Sequence, residues 1–228
     1  NKNQYLVIYC LGESYFNIRG VILDVDGSVV GGHFKVTDVP ANQFHYTMAF
    51  NFRRNQFFIT YNDFRDDVSS VCGVIIDDTG AAVKEEFLIS NAAGHQVNPV
   101  ACYNPQDDTY LVNWEDFRAH GDSLPALETL NHMTDIYGAL LAADGTVLVN
   151  NIPMCADANG IDGDQRFNGI AYNSKTNQFL ASWTDSRDSL QNVGIMGRIV
   201  KADGSMPAPD LALVDGPGAQ MISHILYV

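Results

Sequence analysis

A pair of glycines spaced as G-x₆-G recurs four times along this chain, at Gly20/Gly27, Gly73/Gly80, Gly138/Gly145 and Gly197/Gly204. Each copy follows an aromatic residue that closes a strand-like run: Tyr9, Tyr61, Trp114 or Trp183. An internal period of roughly 50 residues marks a repeat architecture, whose units bury their apolar faces only against their neighbours. That constraint settles most of the architecture and none of the chemistry.

A second aromatic residue follows the last glycine of each unit: Phe50, Tyr103, Tyr172 and Tyr227. Between it and the next strand-closing aromatic the text reads as two apolar runs around a polar, Asn-containing tip, as in Met48–Tyr61, Ala101–Trp114 and Ile170–Trp183. That pattern predicts a β-hairpin. The G-x₆-G phrase reads as a third strand running into an Asp-Gly or Thr-Gly turn, and a fourth strand follows, as at 33–36 and 86–89. The chain ends on His224-Ile225-Leu226-Tyr227-Val228, the first half of such a hairpin, and starts on residues 3–9, the second half. Joined, the two ends complete one unit, and pairing them would remove two exposed sheet edges.

The fold class expected is therefore all-β: a four-bladed β-propeller of four-stranded antiparallel blades, one domain over 1–228, closed by pairing of the N- and C-terminal strands. Blade 1 takes residues 1–39 with 219–228, blade 2 takes 42–91, blade 3 takes 96–154 and blade 4 takes 165–214. A start in mid-repeat is expected of a mature or trimmed product.

With 228 residues and 46% hydrophobic content the chain suits one packed all-β domain. No apolar run is long enough for a spanning helix. A formal net charge of −14 argues against nucleic acid, whose phosphates it would repel. Cys10, Cys72, Cys102 and Cys155 lack zinc spacing. Cys10 and Cys72 fall on one rim of adjacent blades, so a bridge between them and four free thiols both remain open.

Asp-x-Arg follows the second strand in three units, at Asp63/Arg65, Asp116/Arg118 and Asp185/Arg187. Recurrence at equivalent positions marks these as structural ion pairs tying a loop corner to a neighbour, rather than catalytic groups. Two connections depart from the repeat. The first, 117–136, carries His120, Asp122, Glu128 and His132, a candidate ligand-binding group with the side chains of a transition-metal site. The second, 155–166, carries Asp157, Asn159, Asp162 and Asp164 among glycines, the oxygen-rich pattern of a calcium loop. No other cofactor is implied. Propeller topology puts both connections on one face, where long loops on a rigid scaffold usually bind. His224 falls in register with Thr47, Val100 and Gly169 near the expected axis, and reads as packed.

The run Tyr110-Leu111-Val112-Asn113-Trp114-Glu115-Asp116-Phe117-Arg118, followed by Asp135-Ile136-Tyr137-Gly138, resembles a repeat of uncharacterised secreted bacterial β-propeller proteins. The resemblance covers essentially the whole chain and implies an extracellular or cell-surface location. The architecture is also analogous to the four-bladed hemopexin-like domains, although their sequence repeat is not visible here. The expected function is a secreted, non-enzymatic binding or surface-assembly module, working through 117–136 and 155–166 on a protein or glycan partner, or as a homo-oligomer. The alternative is a propeller that binds or processes carbohydrate with carboxylates on that same face.

Overall fold

A computed structural model describes residues 3–12, 14–66, 68–119, 134–155, 163–187, 193–220 and 225–227. Every element in it is a strand, and every strand pairs antiparallel with its neighbour in the chain. The first sheet holds β1 (Tyr5–Gly12), β2 (Phe16–Leu23) and β3 (Val29–Lys35). The second holds β4 (Gln43–Asn51), β5 (Gln56–Asp63), β6 (Ser70–Asp77) and β7 (Ala82–Ser90). The third holds β8 (Gln96–Asn104), β9 (Thr109–Asp116), β10 (Asp135–Ala142) and β11 (Val147–Pro153). The fourth holds β12 (Gln165–Asn173), β13 (Gln178–Asp185), β14 (Gly194–Lys201) and β15 (Leu211–Val214). The first strands β4, β8 and β12 approach one another across sheet boundaries, so they lie innermost in a propeller-like array.

Local chemistry makes the hairpins. In the β4–β5 turn Asn51 Oδ1 accepts the N–H groups of Arg53 and Arg54, and Asn104 and Asn173 repeat this in the next two sheets. Each of these turns closes on a left-handed residue, Asn55, Asp108 or Asn177, types that tolerate positive φ. The turn from third to fourth strand closes on the second glycine of the repeated pair; Gly80 at φ 84° donates to the Asp77 carbonyl. This is the three-residue hairpin with a glycine in the left-handed region.

The first glycine of the pair has a different purpose. A Cβ on Gly73 would sit 2.7 Å from the Phe58 ring and 2.9 Å from that of Phe87. Both rings belong to the core between the second and third sheets, which Trp114, Tyr110, Val112 and Ile75 complete. Trp183, Phe179, Leu111 and Met154 fill the space between the third and fourth sheets. Tyr61, Ile59, Ile18 and Val74 fill that between the first and second. Tyr61, Trp114 and Trp183 therefore each pack against the preceding sheet.

The expected closure is not made among the described residues. The sheet containing β1 has three strands, and the β1 edge away from β2 pairs with no described strand. Ile225–Tyr227 are not in a strand, and Leu226 is 85% exposed. Ile225 does reach the innermost region: its side chain lies 3.5 Å from where a Cβ on Gly169 would stand. The Cys10–Cys72 bridge is not formed either; all four cysteines are free.

Substituting Gly73→Ala should cost about 1–3 kcal/mol through overpacking of the Phe58 and Phe87 rings. Gly32→Ala, with nothing within 4 Å of the added methyl and no positive φ, should be near neutral. Urea unfolding of the two variants reads the contrast, and equal stability of both would contradict the packing role.

Candidate functional site

The innermost strands share an irregularity. In each, two residues oppose one on the following strand: His45 and Tyr46 face Tyr61, Asn98 and Pro99 face Trp114, Phe167 and Asn168 face Trp183. The first residue of each pair is left-handed, with φ 47° at His45, 54° at Asn98 and 52° at Phe167. These are β-bulges, which bend a strand and re-aim its side chains. The fold-dictating aromatic thus sits opposite every bulge.

The bulges of Asn98 and Phe167 are held by the preceding sheet. Asn62 Oδ1 accepts the backbone N–H of Asn98 at 2.9 Å, while Asn62 Nδ2 donates to the Gln96 carbonyl at 2.6 Å. One sheet on, Glu115 Oε1 accepts the N–H of Phe167 at 2.9 Å. Beside it Asn168 Nδ2 donates to Asn113 Oδ1 at 2.7 Å. Cys10 takes the corresponding place in the first sheet, its Sγ donating to the Gln43 carbonyl.

These bulges line an open cleft of about 390 Å³, bounded by His45, Thr47, Asn98, Val100, Glu115, Phe167 and Asn168 among others. Glu115 is its one carboxylate among the described lining residues. Burial, only partly offset by the hydrogen bonds from Phe167 and Asn98 and by Arg166, pushes its carboxyl up to about 7. The cleft opens where β5 and β9 end and β4, β8 and β12 begin. The β9–β10 and β11–β12 connections join strands at that same rim.

The expected site residues fare as follows. His120, Asp122, Glu128 and His132 lie outside the described residues, as do Asp157, Asn159, Asp162 and His224. Asp164 is described: it pairs with Arg166 and accepts a hydrogen bond from Thr134. Among the described residues no three His, Cys, Asp or Glu side chains gather as a metal site would require. The Asp-x-Arg motifs pair internally. Arg65, Arg118 and Arg187 each donate through backbone and guanidinium to the aspartate two residues earlier. Further ties run within the same sheet, to Glu86 from Arg65 and to Asp210 from Arg187, rather than to a neighbour. Trp114 and Trp183 donate their indole N–H to Asp116 and Asp185. Although burial works against ionisation, Arg187 and Trp183 hold the Asp185 carboxyl below its ordinary range.

Sequence reasoning missed Glu115, His45 and Phe167. The available signal was a break in the column Cys10, Asn62, Glu115, Thr184, where one unit puts a carboxylate among neutral side chains.

No family model matches the chain, and no curated protein matches it in sequence. Solved structures do share the fold. An N-acetylgalactosamine deacetylase from F. plautii superposes with a TM-score of 0.53 at 11% identity, covering 95% of this chain and 71% of that one. A B. megaterium levansucrase gives 0.55 at 8%, covering 97% and 67%. An endo-arabinase from Bacteroides thetaiotaomicron gives 0.50 at 12%, covering 95% and 76%. At such identities the likeness concerns the fold. The expectation of a non-enzymatic binding or assembly module is nonetheless corrected here, because these three structures on the same scaffold are carbohydrate-active enzymes.

Glu115 should mark the pH dependence of stability. Its carboxyl stays protonated to about 7 in the fold but only to 4.5 in the unfolded chain. The stabilisation is complete below the unfolded value and is lost as pH rises through the folded one, by roughly 1.4 kcal/mol per unit across that window. Wild type should therefore lose stability relative to Glu115→Gln between pH 4.5 and 7. Parallel stability curves from urea titrations would show that Glu115 ionises normally.

Proposed function

We propose that this protein binds carbohydrate in the cleft between its innermost strands and processes it, with Glu115 as the proton-transferring group. The supporting observation is that Glu115 exceeds its structural duty. Asn62 holds the next bulge with a neutral amide, so the fold has no need of a carboxylate at this position. Burying one costs stability and yields an acid that is half protonated near neutrality. Such a group can give a proton to a leaving oxygen and later take one from water. Glycoside cleavage ordinarily uses a second carboxyl group. Asp122, Glu128, Asp157 and Asp162, on the connections at this rim, are the residues from which it would come. That the scaffold is shared with an N-acetylgalactosamine deacetylase, a levansucrase and an endo-arabinase supports a sugar substrate.

The test is turnover of arabinan, levan and an N-acetylgalactosamine-terminated oligosaccharide, followed by chromatography. Glu115→Gln should lower kcat by roughly 10²–10⁴ while binding changes little. Activity should fall as pH rises above about 7, where the acid is spent. Full turnover by Glu115→Gln would remove Glu115 from the chemistry.

We infer also that the array closes, with Ile225–Tyr227 entering the first sheet as its fourth strand. In register with the other hairpins, Tyr227 would oppose Tyr5 and Ile225 would oppose Val7. The supporting features are the three-stranded sheet, the arrival of Ile225 beside Gly169, and an apolar slot of about 370 Å³ between Tyr5, Leu6, Ile22, Met48, Phe50 and Phe57. Tyr5 and Val7 are 59% and 41% exposed, whereas their counterparts Tyr110, Val112, Phe179 and Ala181 are buried. Hydrogen exchange should find the β1 amides that point away from β2 protected in the full chain. That protection should vanish on deleting 224–228. Fast exchange at those amides in the full chain would rule closure out.

A further inference from the structure

Phe167 stands out at the mouth of the cleft. The residue is 51% exposed although it lies within a strand, and its backbone holds φ 52°. Asparagine and histidine adopt that conformation several times more readily than other residues, and its two sister bulges carry those types, Asn98 and His45. A bulky aromatic there is an outlier held under backbone strain, and such strain clusters at ligand clamps. The ring repays neither the strain nor its exposure through packing: it belongs to none of the three inter-sheet cores and meets no other aromatic ring among the described contacts. Its backbone N–H meanwhile is fixed on Glu115 Oε1. The carboxyl group and the exposed ring are thus positioned by one hydrogen bond.

Around this ring the polar lining consists of amides, hydroxyls, the His45 imidazole and one carboxyl group, with no lysine or arginine among the described lining residues. Asn98, Asn168 and the Pro99 carbonyl line it, and its single carboxylate is near half protonation at neutral pH. Arg166, the adjacent cation, is engaged by Asp164. A ligand suited to these walls is uncharged, carries many hydroxyls and has one flat C–H face to lay on an aromatic ring. Those are the features of a neutral sugar.

We propose that Phe167 is the stacking platform of the cleft, receiving the C–H face of a neutral sugar ring and delivering its linkage oxygen to Glu115. This rests on the carbohydrate reading above and assigns the residue that sets affinity and orientation within it. Anionic sugars are disfavoured because no lysine or arginine is among the described lining residues and the protein as a whole carries −14.

The experiment titrates wild type, Phe167→Asn and Phe167→Tyr with arabinotriose, 1-kestose, N-acetylgalactosamine and galacturonic acid, by calorimetry. Thermal melts run in parallel. Phe167→Asn keeps the N–H to Glu115 and relieves the backbone, so it should melt no lower than wild type. It should still lose at least tenfold in affinity for whichever neutral sugar binds, with KM rising more than kcat falls. Phe167→Tyr should bind within threefold of wild type. A neutral sugar bound equally by wild type and Phe167→Asn overturns the platform while leaving the carbohydrate reading standing. Preference for galacturonic acid overturns the neutral-sugar assignment. No binding of any probe by wild type brings down the carbohydrate reading and the platform with it.

Discussion

The structure turns on one recurring contact, a side chain near the end of a sheet's second strand that accepts the N–H of a bulge on the next sheet's innermost strand. Asn62 makes it to Asn98 and Glu115 makes it to Phe167. The bulge frees that N–H from its own ladder, and a buried N–H left unpaired would cost about as much as a lost hydrogen bond. Neighbouring sheets are thereby registered by hydrogen bonds as well as by apolar packing. The aromatic opposite each bulge, Tyr61, Trp114 or Trp183, fills the space beneath it and is fully buried. In the sheets of Trp114 and Trp183 the indole N–H also bonds the aspartate of the Asp-x-Arg pair, joining core to loop corner.

Because the contact needs only an acceptor, the side chain supplying it is free to vary. Neutral asparagine suffices in the second sheet, while the thiol at this position in the first donates to the Gln43 carbonyl instead. The third sheet uses the same opening to bury a carboxylic acid under an open cleft. Function can enter a repeat scaffold in this way, at a position whose structural demand is loose, without disturbing the positions whose demand is strict. Gly73 and Trp114, with no room and no exposure, are of the strict kind.

Within the fold, what was legible in the chain is what local chemistry dictates. Antiparallel hairpins, Asn-led tips and glycine-closed turns follow from backbone preferences of single residues, and all are present. The bulges were not legible, since nothing in His45 or Phe167 as residue types announces a left-handed backbone in mid-strand. The direction of the arginine ties was also not readable. Recurrence implied a structural pair, but the partners Glu86 and Asp210 are set by which strand returns beside the corner. For the site, Glu115 was visible only as an odd letter in a column of neutral ones.

By itself the sequence determined an all-β chain of repeated antiparallel sheets, because periodic apolar runs and obligatory turn residues admit few other folds. Only the tertiary structure decided that Glu115 and Asn98 from one sheet and Phe167 from the next meet in one cleft. It also decided that burial there shifts an ordinary glutamate toward neutrality. The physical reason is that turns and strand pairing act between residues near in the chain. Desolvation, by contrast, depends on which distant strands converge, and no local pattern encodes that.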